Sequence, residues 1–196
     1  MPVTYTNRKD ITQTLCRGAT KTRKPRYYFA REPKDEVVEA IPEGWEIRES
    51  VNGVVSLVKI RRQRILPEET RVVAQALRRH PKERNYRDDT RTDQIVVYEL
   101  VGPDVDELLR GLSDFIKPFD RAATIEHWRA EQERCGRFAP IMRFILEDDD
   151  TRLFGVERMM YLDDKGRWWH LAEGQIDELA RRYIPKLGTD GFFELI

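Results

Sequence analysis

The chain has only two cysteines, Cys16 and Cys135, in 196 residues. They lie far apart and outside any C-x-x-C pair, so neither a disulfide framework nor a structural zinc site is supported, and both are expected to be packed thiols. No run of 18 apolar residues occurs, and Met1 to Lys9 is too polar for the hydrophobic stretch of a secretory signal. A soluble, cytoplasmic protein without a membrane partner is therefore expected. There are no internal repeats and no low-complexity tract. G-x-S-x-G, P-loop, G-x-G-x-x-G and H-E-x-x-H patterns are all missing, so no cofactor and no metal is implied.

What the chain has in excess is charge. Asp, Glu, Lys and Arg make up 36% of the residues against 40% apolar, and 26 of the 35 cations are arginine. The formal net charge of +0 conceals a gradient. Residues 1–64 hold 14 Lys/Arg against 8 Asp/Glu, residues 65–100 hold 7 of each, and residues 101–196 hold 14 against 20. A basic front and an acidic back are read as two lobes, 1–64 and 65–196, with the charged stretch from Arg61 to Pro67 between them.

Local patterns predict an α+β protein, a small antiparallel β-module followed by about four helices and an antiparallel β-meander. In the module, Asn52-Gly53 predicts a type I′ hairpin over Trp45 to Ile60, with Val51 facing Val54, Ile47 facing Val58 and Glu46 facing Lys59. Shorter strands are expected at Val3 to Arg8, Ile11 to Cys16 and Arg26 to Arg31, separated at Arg17-Gly18 and at Lys21 to Pro25.

Pro67 suits a helix start, and Val73, Ala76 and Leu77 form its apolar side as far as His80-Pro81. A hairpin around Thr92-Asp93 follows. Asp104 then caps a helix striped by Val105, Leu108, Leu109, Leu112, Phe115 and Ile116. Ala122 to Cys135 is expected to be helical with Ile125, Trp128, Gln132 and Cys135 inward, ending at Gly136. Strands at Ile141 to Glu147, Arg152 to Leu162 and Arg167 to Leu171 make the meander. A final amphipathic helix carries Ile176, Leu179, Ala180, Tyr183 and Ile184 before an apolar tail, Phe192 to Ile196, expected to dock on the core.

Function is sought first where the cations concentrate. Lys21 to Arg31 packs five cations and three aromatics into eleven residues. Cations release counterions from nucleic acid, and an exposed ring stacks on an unpaired base. Strand alternation sends Tyr27 and Phe29 to the core and Arg26 and Tyr28 outward beside Lys21, Arg23 and Lys24, with Arg31 on the core side. Arg61, Arg62 and Arg64, with Lys59, form a second cluster that extends the footprint. The leading reading is a non-enzymatic binding protein whose basic module contacts DNA or RNA. A solvated edge that resists aggregation accounts for the same cations.

Two rivals belong to other classes. One is a protein-interaction or regulatory adaptor whose charge-complementary halves attract each other or a second copy. The other is a hydrolase in which His170, diagonal to Glu157 across the meander beside Tyr161 and Trp168, works as an acid or base. That register sets Met159 opposite His170. His127 lies off the apolar stripe of its helix. The acidic run Glu147 to Asp150 has no metal-loop spacing. Of Trp168-Trp169, one indole is expected in the core and the other beneath the final helix.

Overall fold

Thr12–Ala19 alternates inward and outward residues and forms β2, the strand on which the first of two units is assembled. The computed structural model describes residues 1–102, 105, 108, 121–161 and 166–194. Four helices and eleven strands occur among them, and the architecture is α+β. The first unit comprises Met1–Arg61 with Pro118–Gly136, the second Arg62–Lys117 with Arg137–Ile196. The division thus falls at Arg61, and a helix from the acidic part of the sequence belongs with the basic module.

In the first unit, β2 pairs antiparallel with β1 (Thr4–Thr6), β3 (Pro25–Ala30) and β4 (Glu36–Val37). The strand runs straight through Arg17-Gly18, where a break was expected. A Cβ at Gly18 would stand 2.5 Å from Asp35 Oδ2 and 3.4 Å from the Tyr28 ring, so this glycine marks a close approach and not a turn. Leu15 and Cys16 are fully buried on opposite faces of β2. Tyr27 and Phe29 share the Leu15 face as expected, and Tyr27 meets Trp45 with ring centroids 6.1 Å apart. Arg31, expected on the core side, is exposed.

The hairpin of β5 (Trp45–Glu49) and β6 (Val55–Lys59) forms, but one residue out of the predicted register. Ile47 faces Leu57, Glu46 faces Val58, and Trp45 faces Lys59, whose ammonium lies 5.6 Å from the indole centroid. The cause is Ser50. Its Oγ accepts from Val54 N–H (3.1 Å), its carbonyl from Gly53 N–H (2.9 Å), and its own N–H reaches the Val54 carbonyl (2.9 Å). This closes a three-residue loop in which only Gly53, at φ +74°, needs a left-handed backbone, whereas the type I′ turn would also force Asn52 there.

The same five-residue turn recurs at Asn7–Ile11 and at Thr20–Lys24. Asn7 Oδ1 and Thr20 Oγ1 take the part of Ser50 Oγ, accepting from Ile11 and Lys24 N–H, and Asp10 (φ +58°) and Arg23 (φ +59°) occupy the left-handed position.

The helix of this unit is α2, Arg121–Cys135, numbered after α1 (Pro67–Arg78) of the second unit. Its expected inward face is realised only in part: Ile125 and Gln132 are half-buried, with Thr124 and Arg129, but Trp128 and Cys135 are exposed. Arginines anchor it instead. Arg8 donates to the carbonyls of Glu133 (3.0 Å) and Gly136 (2.8 Å), and Arg134 reaches Asp10 Oδ2 (2.8 Å).

In the second unit β7 (Tyr86–Thr90), β8 (Gln94–Leu100), β9 (Phe138–Asp148), β10 (Leu153–Met160) and β11 (Arg167–Gly174) form one antiparallel sheet in the order 11-10-9-8-7. The hairpin around Thr92-Asp93 and the meander are present as expected. Ile95, Val97, Met142, Phe144, Phe154 and Val156 join Val73 and Leu77 of α1 in the core, together with Ile176, Leu179, Ala180 and Tyr183 of α3 (Ile176–Tyr183) and with Ile184. Phe192 of α4 (Asp190–Phe193) is buried in the same core. The predicted stripe from Asp104 to Ile116 lies outside the described residues except at Val105 and Leu108, as do the ends of the tail and the turn at Asp163.

Glu69 carries the start of α1. It accepts from Leu66 N–H (2.8 Å) as a capping-box residue, and both of its oxygens take Arg152, at 2.8 and 2.7 Å. Arg152, at φ +53°, also donates to the Arg64 carbonyl (3.1 Å) and Asp149 Oδ1 (3.2 Å). Removing one partner of such a buried pair costs about 3–5 kcal/mol. Arg152→Ala is expected to lose stability of that order in urea denaturation, and a loss under about 1 kcal/mol would contradict this role.

His80 is buried, with Nδ1 accepting from Lys82 N–H (3.1 Å) and Nε2 3.1 Å from the Leu187 carbonyl, which fixes the neutral tautomer protonated at Nε2. Its ring meets Tyr86 edge-on, and Tyr86 O–H donates to Glu99. Burial lowers its pKa below the ordinary value of 6.5. The unfolded chain therefore takes up a proton first: this contribution is complete above pH 6.5 and is lost as pH falls below it, by up to about 1.4 kcal/mol per pH unit. Denaturation midpoints measured from pH 7.5 to 5 should show this slope in the parent protein and a shallower one in His80→Gln.

Candidate nucleic-acid interface

The cations at the β2–β3 tip stand on a turn built by its own side chains. Thr20 Oγ1 accepts from Lys24 N–H (3.1 Å) and lies 3.0 Å from Thr22 Oγ1, so the tip has a defined shape. Lys21, Arg23, Lys24 and Arg26 are all exposed, and none has an ion pair among the described residues. Tyr28 is on the face opposite Tyr27, as expected, but it is half-buried and its hydroxyl donates to Asp35 Oδ2 at 2.6 Å. That bond pushes the phenol pKa up to about 12 and leaves a carboxylate where a phosphate would have to approach. Tyr28 is thus part of the base of the hairpin and not a free stacking surface.

The second cluster does not stay together. Arg61 closes the first unit and Arg62 opens the second, both exposed, while Arg64 is engaged by Asp149 at 2.9 Å. The same acidic run is partly occupied elsewhere. Asp148 Oδ1 accepts from the N–H groups of Asp150 (2.8 Å) and Thr151 (3.0 Å), which lower its pKa, and Asp149 is shared between Arg64 and Arg152.

Glu157 and His170 are directly opposite each other, not diagonal: Met160 pairs with Arg167, two residues out of the expected register, and the bulge at Val156/Glu157 that passes over Leu171 lies just beyond the pair. Met159 accordingly faces Trp168. No hydrogen bond joins Glu157 to His170. The Glu157 carboxylate takes Arg143 Nε at 2.7 Å, and the Arg143 guanidinium lies 4.4 Å from the Trp168 centroid. His170 is about half exposed, with Glu173 as its nearest carboxylate at 4.0 Å. This row holds a cation between a carboxylate and an indole and does not orient an imidazole for proton transfer. Neither indole of Trp168-Trp169 is in the core: Trp168 is half-buried and Trp169 is 49% exposed, in place of the expected core position and helix cover.

A groove of about 260 Å³ between α1 and α3 has Val72, Ala76, Ala180 and Pro185 along it and Arg79 and Arg181 at its rim. No side-chain set within it resembles a catalytic constellation. Sequence reasoning missed His80 and the Glu69–Arg152 pair; the His80-Pro81 helix stop and the S/T-free capping position gave no sign of either. No family model, curated protein or solved structure matches the chain.

Because His170 is exposed and makes no hydrogen bond to Glu157, His170→Ala is expected to leave stability within about 0.5 kcal/mol, as for ordinary surface changes. Arg143→Ala strands a half-buried carboxylate and is expected to cost about 1–3 kcal/mol in the same denaturation measurement.

Proposed function

We propose that the protein is a non-enzymatic binding protein whose first unit holds nucleic acid through Lys21, Arg23, Lys24 and Arg26 at the β2–β3 tip. The observation that carries this reading is Arg23. It occupies the left-handed position of a turn whose counterparts are Gly53 in β5–β6 and, at Asn7–Ile11, Asp10, a residue type that enters this conformation more readily than arginine. A side chain there costs about 1–2 kcal/mol that glycine avoids. Strain retained at an exposed cation, among three further cations without ion pairs among the described residues, supports a role outside folding. Four like charges at one tip also repel one another, and a bound polyanion relieves that repulsion.

The adaptor reading draws less support. Counted by unit, the first holds 15 Lys/Arg against 12 Asp/Glu and the second 20 against 23, so the charge contrast along the sequence is halved once Arg62 and Arg64 fall to the second unit and Pro118–Gly136 joins the first.

Anisotropy titration of the full chain against labelled nucleic acid tests the proposal. Four phosphate contacts on a duplex give a log–log salt slope of about −3.6, a loss of about a hundredfold between about 50 and 200 mM salt. Arg23→Gly separates the two roles of that residue: stability is expected to rise by about 1 kcal/mol while affinity falls. No binding at low salt, or a Gly variant that binds as well as the parent, would refute the reading.

A further inference from the structure

We propose that the polyanion is B-form duplex DNA and that the β2–β3 tip enters its major groove; this rests on the reading above and narrows it. The neighbouring strands of β2 stop short of the tip. The β4 pairing ends at Arg17, so Gly18 and Ala19 have only Arg26 and Pro25 opposite them. Two rungs and the Thr20–Lys24 turn therefore project as a two-stranded ribbon, roughly 10 Å long at 3.3 Å per residue.

That length and the width of two strands suit the major groove of B-DNA, about 12 Å wide and 8.5 Å deep. The B-form minor groove, about 6 Å wide, does not admit a ribbon, and the major groove of A-form RNA is deep and narrow. Lys21 leaves β2 while Lys24 and Arg26 enter β3, so cations flank the tip on both strands, as two walls of phosphate require. Pro25 has no N–H to offer, which blunts the ribbon edge against addition of a protein strand.

Single-stranded nucleic acid is disfavoured by the fate of the rings. Unpaired bases are held by stacking on aromatic side chains. Tyr27 is against Trp45, Tyr28 is tied to Asp35, and Phe29 is opposite Leu15, all half-buried. Trp128 is exposed, but on α2 beside the exposed acids Glu126 and Glu131. At the base of the ribbon Asp35 and Glu36 repel phosphate and confine the contact to the tip.

The test compares a fluorescein-labelled mixed-sequence DNA duplex with its single strand and with the RNA duplex of the same sequence. The steeper salt term of a duplex over four contacts amounts to about tenfold tighter binding than to the single strand at about 50 mM salt. Duplex DNA is expected to exceed both others, and methyl green, which occupies the major groove, is expected to displace the protein while netropsin, in the minor groove, does not. Equal or tighter binding to single strands or duplex RNA, or displacement by netropsin alone, overturns this inference and leaves the nucleic-acid reading standing. Failure to bind any of the three removes both.

Discussion

A guanidinium carries five donors in a fixed plane, and taking it out of water requires acceptors that match that plane. In a chain with 26 arginines this requirement decides which ends of which elements meet. Arg152 draws the first turn of α1, the β9–β10 turn and the Arg64 carbonyl to one point through Glu69. Arg8 and Arg134 fasten the last turn of α2, Arg158 holds the Phe192 carbonyl at 2.7 Å beneath α4, and Arg143 spans neighbouring strands to Glu157. Apolar burial in the clusters around Phe144 and Phe154 provides the larger driving force, but it is non-directional. The arginine ties add the direction, and lysine, a point charge, could not reproduce the two-point contacts at Glu69.

Against that pattern the β2–β3 tip is an exception. The arginines named above turn their charge onto carbonyls and carboxylates, whereas Lys21, Arg23, Lys24 and Arg26 stand outward together on a turn rigidified by Thr20. Arg23 is held in a left-handed backbone conformation that one sister turn assigns to Gly53 and the other to Asp10. Stability alone favours glycine at this position. On the proposed reading, a cation retained there has its rationale in a polyanion that approaches from solvent, and the ribbon beneath it, with its rings already engaged, suits a groove better than an unpaired base.

Much of the fold is legible in the sequence because it rests on short-range patterns. The Pro67 helix, the Thr92-Asp93 hairpin, the meander and the Ile176 to Ile184 face follow from caps, turns and periodicity. The failures share a cause, which is a side chain acting on backbone at a distance of a few residues or many. Ser50 Oγ widened the β5–β6 turn and moved its register, and the pairing of Met160 with Arg167 moved His170 by two residues. The nearness of Asp35 to Gly18 made a glycine look like a turn. The pairing of Glu69 with Arg152 joins residues 83 positions apart, beyond any local pattern. Of the candidate site, the tip cations are legible as a cluster, but the withdrawal of Tyr28 to Asp35 and of Arg64 to Asp149 depends on tertiary partners.

The central claim is that one hairpin tip carries the binding activity. Amide chemical-shift mapping of the isotopically labelled chain, titrated with a DNA duplex at low salt, addresses it residue by residue. The account predicts perturbations confined to Thr20 through Arg26, with the amides of Arg64, Glu157 and His170 unmoved. Perturbations centred on the β10–β11 face or on the α1–α3 groove, with the tip unchanged, would contradict it.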